Sequence, residues 1–406
     1  MMREAQPDGA PDGVALVAVE TNLLEANGAL EPERRAEMGQ YLTPLPVARF
    51  MASLLRLGTS SVRVLDAGAG VGTLTAAVAQ EVIGRQAAPH EIRAVTYELD
   101  ASLEPRLRNV LDACRQACEG NGMTFDGEAF EEDFLRVGVA ALGGDMFVPG
   151  VPLPEGFDCA ILNPPYRKLA RGSAERRDLA GVLGIEVGNL YAAFVALAVE
   201  LLKPGGELVA ITPRSFCNGP YFKPFRKFYL SRMALRRVHV FETRGDLFGE
   251  DGVLQENVIV YAVKEPVAPG ATVAISSSET PDEDLHAVSE EPYGRVVVPD
   301  DPESFIRVVP DEAGGRVSER MGRLAGGLSD AGVSVSTGRV VDFRVREFLR
   351  HAPSADTVPL IYPHNLREGF VEWPRKHAKK ASAIVTGGGS KKSLTPNGVY
   401  VLAPTT

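Results

Sequence analysis

The chain has 406 residues, with 43 lysines and arginines against 53 aspartates and glutamates, a net charge of −10, and 45% hydrophobic residues. This excludes a disordered tail or a small stapled scaffold and leaves room for two or three domains, most simply one large and one smaller. Cys114, Cys118, Cys159 and Cys217 have no repeated spacing, which argues against a disulfide framework or a metal cluster; with no apolar run long enough to cross a bilayer and no signal-like start, a cytoplasmic protein is expected.

Residues 1–37 carry little pattern beyond a short helix near Glu31–Met38. Apolar runs then predict buried strands at Val62–Leu65, Ile92–Tyr97, Phe157–Leu162, Glu207–Thr212, Leu235–Phe241 and Val258–Val263. Helices are predicted at Gly72–Ile83, Ala101–Cys118, Asn189–Leu202 and Phe222–Ser231. Strands alternating with helices imply an α/β fold with a doubly wound, mostly parallel sheet, whose ligands sit at the carboxyl ends of the strands.

Val267–Gly315 is rich in proline, serine and acid and reads as a connector with one strand at Thr272–Ile275. From Ser276 to Glu312, eleven acidic residues face only Arg295 and Arg307, whereas from Arg316 to the end fourteen basic residues outnumber seven acidic ones. A basic terminal unit is a candidate phosphate footprint, and a solvated surface would give the same count. Thr386–Gly398, with its glycines and Lys391 and Lys392, reads as a mobile loop, since no strand and helix frame it as a phosphate cradle.

Three segments carry chemistry. Asp66-Ala67-Gly68-Ala69-Gly70-Val71-Gly72-Thr73 joins a strand to a helix, and its glycines let the backbone turn sharply and approach a ligand closely. Dinucleotide folds use glycines in the same way, but Asp66 at the strand tip opposes a pyrophosphate and suits a cationic ligand such as S-adenosylmethionine. Glu98, at the end of the next strand, can accept the two hydroxyls of a ribose. Farther along, Asp133 and Phe134 read either as an adenine acceptor with an aromatic face or as a helix cap followed by a core phenylalanine.

The decisive segment is Asn163-Pro164-Pro165-Tyr166, directly after a buried strand. Two prolines fix the backbone and remove two N–H donors, leaving the Asn163 side-chain oxygen and the Pro164 carbonyl as acceptors. An exocyclic amine needs two acceptors, because its lone pair is delocalised into the ring and hydrogen bonds from both N–H groups help it become a tetrahedral nucleophile. Tyr166 supplies a face for a planar base or amide. An ordinary Asn-Pro turn accounts poorly for all four residues at a strand end.

Together the Asp66–Thr73 and Asn163–Tyr166 segments resemble the class I S-adenosylmethionine-dependent amino-methyltransferases. The whole chain resembles the DNA adenine-N6 methyltransferases of restriction-modification systems, with the gamma motif order of the TaqI and PstI/BsuBI-like group. Met38-Gly39-Gln40-Tyr41-Leu42-Thr43-Pro44, Lys203–Glu207, Ile211–Phe216 and Glu256–Tyr261 extend the likeness. It implies a seven-stranded Rossmann-like catalytic domain over 38–266, an acidic connector over 267–315 and a partial target-recognition domain over 316–406, opening at Ser336–Arg339 and Leu360–Leu366. The chain stops at Thr406 where such a domain normally continues, so a truncated recognition domain is expected.

The same resemblance implies S-adenosylmethionine as cofactor, double-stranded DNA as partner, and a restriction endonuclease acting on the same site. It gives Thr43 the cofactor's methionine carboxylate, Asp133 its adenine amino group and Phe134 its ring. Phe248 is the candidate second aromatic against the flipped base, equally readable as a loop anchor. Arg167, Lys168 and Arg171 are candidate phosphate contacts, equally readable as a solvated basic run.

Cytosine C5 chemistry needs a cysteine in a Pro-Cys context, which neither Cys159 nor Cys217 has. Cytosine N4 transfer suits the same acceptors as adenine N6. Methyltransferases acting on protein glutamine or ribosomal RNA share Asn-Pro-Pro-Tyr, but the Thr43-Pro44 segment and the basic terminal unit favour DNA. A non-catalytic, cofactor-binding remnant is the alternative outside enzymes; the short terminal unit favours it and the intact Asn163–Tyr166 segment opposes it.

Overall fold

A computed structural model describes residues 19–23, 42–58, 61–85, 89–145, 148, 156–241, 256–278, 287–308, 326–375 and 379–403, with single positions between 314 and 324. Contacts divide the chain into two units, Met1–Glu319 and Arg320–Thr406.

In the first unit, α1 (Leu45–Leu54) buries Leu45, Val47, Ala48, Met51 and Ala52 along one stripe. Then follow β1 (Ser61–Ala67), α2 (Thr73–Ile83), β2 (Glu91–Glu98), α3 (Glu104–Gly120), β3 (Thr124–Glu131), α4 (Phe134–Gly143) and β4 (Phe157–Leu162). The chain continues through α5 (Ala174–Leu183), α6 (Leu190–Leu201), β5 (Leu202–Pro213), α7 (Lys223–Leu230), β6 (Ala234–Phe241), β7 (Asn257–Val263), β8 (Thr272–Ser278) and β9 (Ala287–Pro292).

These strands make one sheet in the order β3-β2-β1-β4-β5-β7-β6-β8-β9. The seven strands expected from the resemblance are present, with β7 antiparallel to both neighbours. β8 runs parallel to β6 and β9 antiparallel to β8, so nine strands replace seven. The extra pair comes from the segment read as a connector. There, Ser276, Ser277 and Ser278 look like loop but are buried, and His239 on β6 meets Ser276 and Ser278 at 3.1 and 3.2 Å. Paired hydroxyls replaced the hydrophobic pattern by which a strand is recognised.

Side-chain alternation divides the core between the sheet's two faces. Val64, Cys159 and Ile161 pack with α1, α2 and α3, while Leu65, Ala67, Ala160 and Leu162 pack with α4, α6 and α7. Helix α6 is buried along Leu190–Val199, as expected of a helix apolar all round. The doubly wound sheet therefore forms as expected, with β1 and β4 adjacent at its centre.

Within the second unit, Ala383–Val385 pairs with Leu349–Arg350 and Thr357–Pro359, and Leu366–Arg367 pairs with Phe370–Val371. Gly388–Ser393, within the segment read as a mobile loop, is a 3-10 helix in which the Ser390 hydroxyl donates to the carbonyls of Val385 and Gly387. Among the described residues, no helix is long and apolar enough to cross a membrane.

Candidate active site at the strand ends

The glycine turn lies between the ends of β1 and β2. The Gly68 and Ala69 amides donate to the Tyr97 carbonyl at 2.8 and 2.9 Å, and Gly68, Gly70 and Gly72 have φ of 77°, 57° and 89°. A Cβ on Gly70 would lie 3.0 Å from Leu42 Cδ2, so the segment before α1 packs directly on the turn. Glu98 is 6% exposed: its Oε2 accepts from the Gly70 amide at 2.9 Å and its Oε1 from the Asp100 amide at 2.8 Å. Burial raises its pKa, and those two amides oppose the shift. Glu98 thus shapes the turn while standing where a ribose acceptor was expected.

Asp66 differs from the expectation. It is fully buried, and its Oδ2 accepts from the Thr75 hydroxyl at 2.7 Å. The α2 N-cap, Gly72, has no side chain to cap with, and Asp66 serves that first turn instead. Burial pushes its pKa up to about 7, with Thr75 opposing and Glu98 adding to the shift. A carboxyl so enclosed does not present a bare charge to a cationic ligand; its Oδ1 has no hydrogen-bond partner among the described residues.

Asp133 and Phe134 follow the structural reading. Asp133 is the N-cap of α4, its Oδ1 accepting from the Leu135 amide at 2.9 Å. Phe134 is a core residue whose ring lies 5.4 Å from Tyr97 and 5.2 Å from Phe194. Leu99, directly after Glu98 and not singled out in the sequence, is 58% exposed, an apolar face just past the end of β2.

The Asn163–Tyr166 corner meets this turn. A Cβ on Gly68 would lie 3.9 Å from both the Asn163 carbonyl oxygen and Pro165 Cδ. Asn163 is 9% exposed, and its Nδ2 donates to Thr43 Oγ1 at 3.0 Å. Tyr166 is half-buried and meets Tyr191 edge-on at 6.2 Å. Leu42, Thr43, the glycine turn and the asparagine corner are thereby brought together, although Asn163 and Thr43 are 120 residues apart.

Beyond the corner, the Leu190 amide donates to the Arg167 carbonyl at 2.7 Å and the Leu169 amide to the Gly188 carbonyl at 2.9 Å. This short ladder holds Arg167 and Lys168 as exposed residues at the start of α6. Phe248 and Met38–Tyr41 lie outside the described residues. Among the described residues, no cluster of histidine, cysteine or carboxylate side chains could hold a metal.

The chain is similar to known restriction-modification methyltransferases. The Eco57I restriction-modification methylase family matches residues 107–248. Type II methyltransferase M.PstI of Providencia stuartii is 39% identical over 377 residues, 93% of this chain and 72% of that protein. Type II methyltransferase M.BsuBI of Bacillus subtilis is 36% identical over 390 residues, 95% of this chain and 74% of that protein. Among solved structures, the methyltransferase subunit of a type I restriction-modification system from Streptococcus thermophilus aligns with a TM-score of 0.51 at 18% identity, covering 74% of this chain and 64% of that one.

Proposed function

The chain belongs to the restriction-modification type II methyltransferases that include M.PstI and M.BsuBI, and from that premise we propose that it methylates the N6 amino group of an adenine swung out of duplex DNA, with S-adenosylmethionine as donor. The observation that carries this reading is the meeting of the glycine turn with the Asn163 corner around Gly68. A ligand held by the turn and an amine held by the corner would be neighbours.

The residues present fit S-adenosylmethionine. The turn has three left-handed glycines, two of which, Gly70 and Gly72, leave little room for a Cβ, and a carboxylate ends β2 with an exposed apolar side chain directly after it. When bound, the cofactor supplies a methyl group on a sulfonium, an electrophile needing no further activation. Glu98 would accept the ribose hydroxyls, Leu99 would cover one face of the adenine ring, and Asp133, which caps the helix through Oδ1, would accept from its amino group through its other oxygen.

On the substrate side, the Asn163 side-chain oxygen and the Pro164 carbonyl would accept the two N–H groups of the target amine. As the nitrogen attacks, its positive charge develops beside these acceptors, which therefore bind the transition state more strongly than the planar ground state. Tyr166 would stack on the extruded base, and Arg167 and Lys168 would contact backbone phosphates. A nuclease cutting the same sequence would be the partner activity in a restriction-modification pair.

The test is transfer of labelled methyl from S-adenosylmethionine to duplex DNA, ribosomal RNA and protein in parallel, with Asn163→Ala as control. Label entering duplex DNA alone, and lost in the variant, is expected. Label entering RNA or protein in preference to DNA contradicts the reading.

A further inference from the structure

The backbone of the Asn163 corner is fixed by two prolines, but prolines do not fix the Asn163 side chain. An asparagine amide has two ends of nearly equal size, one accepting and one donating, and the torsion that exchanges them is broad. With the NH2 end turned to the substrate, donors would face the donors of the target amine and transfer would fail. Something must choose the end.

Thr43 makes the described contact that does so. It is 6% exposed, immediately before Pro44 and α1, and its Oγ1 takes the hydrogen bond from Asn163 Nδ2 at 3.0 Å. Leu42, beside it, rests on the glycine turn. Resemblance gives the Thr43 hydroxyl to the cofactor, whereas the structure gives one of its lone pairs to Asn163; a hydroxyl has two lone pairs and a hydrogen, so both contacts are compatible.

We propose that Thr43 is a positioning residue for methyl transfer: by engaging Asn163 Nδ2, it keeps the side-chain oxygen as the end offered to the substrate amine. This inference rests on the reading of Asn163 as the acceptor for that amine. Because Thr43 lies on the segment packed against the glycine turn, the amide is set by the same piece of chain that covers the cofactor side, and the two halves of the site are aligned together.

The experiment compares Thr43→Val, which keeps shape and loses the hydroxyl, with Thr43→Ser, which keeps the hydroxyl. The rate of methyl transfer is measured at saturating S-adenosylmethionine and DNA, and binding of the unreactive analogue sinefungin is measured by calorimetry. Thr43→Val is expected to lower kcat by roughly ten- to a hundredfold, the range expected when a reacting group is misplaced. Thr43→Ser should recover to within about threefold of wild type, and any weakening of sinefungin binding in Thr43→Val should be smaller than its loss of kcat, which itself should not exceed the loss expected for Asn163→Ala.

An unchanged kcat in Thr43→Val overturns the inference. So does a loss that serine does not restore, or one that appears entirely as weaker cofactor binding, which would make Thr43 a cofactor ligand alone. Thr43→Ala is the second hydroxyl-free variant, read in the same way, should valine prevent folding. If Asn163→Ala retains the wild-type rate, the underlying reading of the corner fails; if it is inactive while Thr43→Val is fully active, this inference alone fails.

Discussion

The Thr75 hydroxyl donates a 2.7 Å hydrogen bond to Oδ2 of Asp66, closing the glycine turn from within. The acid at the tip of β1 thus anchors the start of α2.

Asp66 should make stability depend on pH in an unusual direction. Its folded-state pKa is raised to about 7 from an ordinary 3.8, so the folded protein holds the proton more tightly than the unfolded chain. Its contribution is therefore greatest below the ordinary value and declines as pH rises through about 7. Asp66→Asn should remove this dependence, so that the stability of the variant relative to wild type improves by roughly 4 kcal/mol as pH rises from below the ordinary value to about 7. Denaturant unfolding across that range checks it; parallel curves for the two proteins would contradict it.

Asn163→Ala should lower kcat by about 10²- to 10³-fold, the usual loss when a hydrogen-bonding group specific to the transition state is removed. Sinefungin affinity should stay within about twofold, since the side chain acts on the amine. Single-turnover kinetics and calorimetry separate the two effects.

Glu98→Ala should do the opposite. Removing a buried carboxylate that engages two amides of the turn, and is read as the ribose acceptor, should weaken sinefungin binding by about tenfold or more. Leu99→Ser should weaken it by a smaller factor, of the order of that for losing one apolar contact. Calorimetry on both variants is the check, and normal binding by both would place the cofactor elsewhere.

DNA binding should weaken as salt increases despite the overall charge of −10, because the exposed Arg167 and Lys168 and the basic residues from Arg316 onward act locally. The double variant Arg167→Ala, Lys168→Ala should reduce the slope of log affinity against log salt by about 2, roughly one for each lost phosphate contact. An unchanged slope removes these two side chains from the DNA contact.

What could be read in the sequence was local. A strand followed by a glycine turn, and another followed by Asn-Pro-Pro-Tyr, each announce a strand end and place both motifs on one edge of a parallel sheet. Strand β3 escaped because it is an edge strand that places Asp126, Glu128 and Glu131 among its few apolar residues. Strand β8 is legible only as far as Ile275, because Ser276 and Ser278, which complete it, are satisfied by His239, a partner 37 and 39 residues away in sequence. The Thr43–Asn163 bond is longer in range still, and no periodicity encodes it. Asp133 and Phe134 sit in a pattern that a cap and a core residue produce equally well, and the structure displays that role for both.

The most direct test of the account digests DNA methylated by the wild-type protein to nucleosides and identifies the modified one by mass spectrometry. N6-methyladenine, absent when Asn163→Ala replaces the wild type, is the predicted product. N4-methylcytosine as the product, or N6-methyladenine formed equally well without the Asn163 side chain, would contradict it.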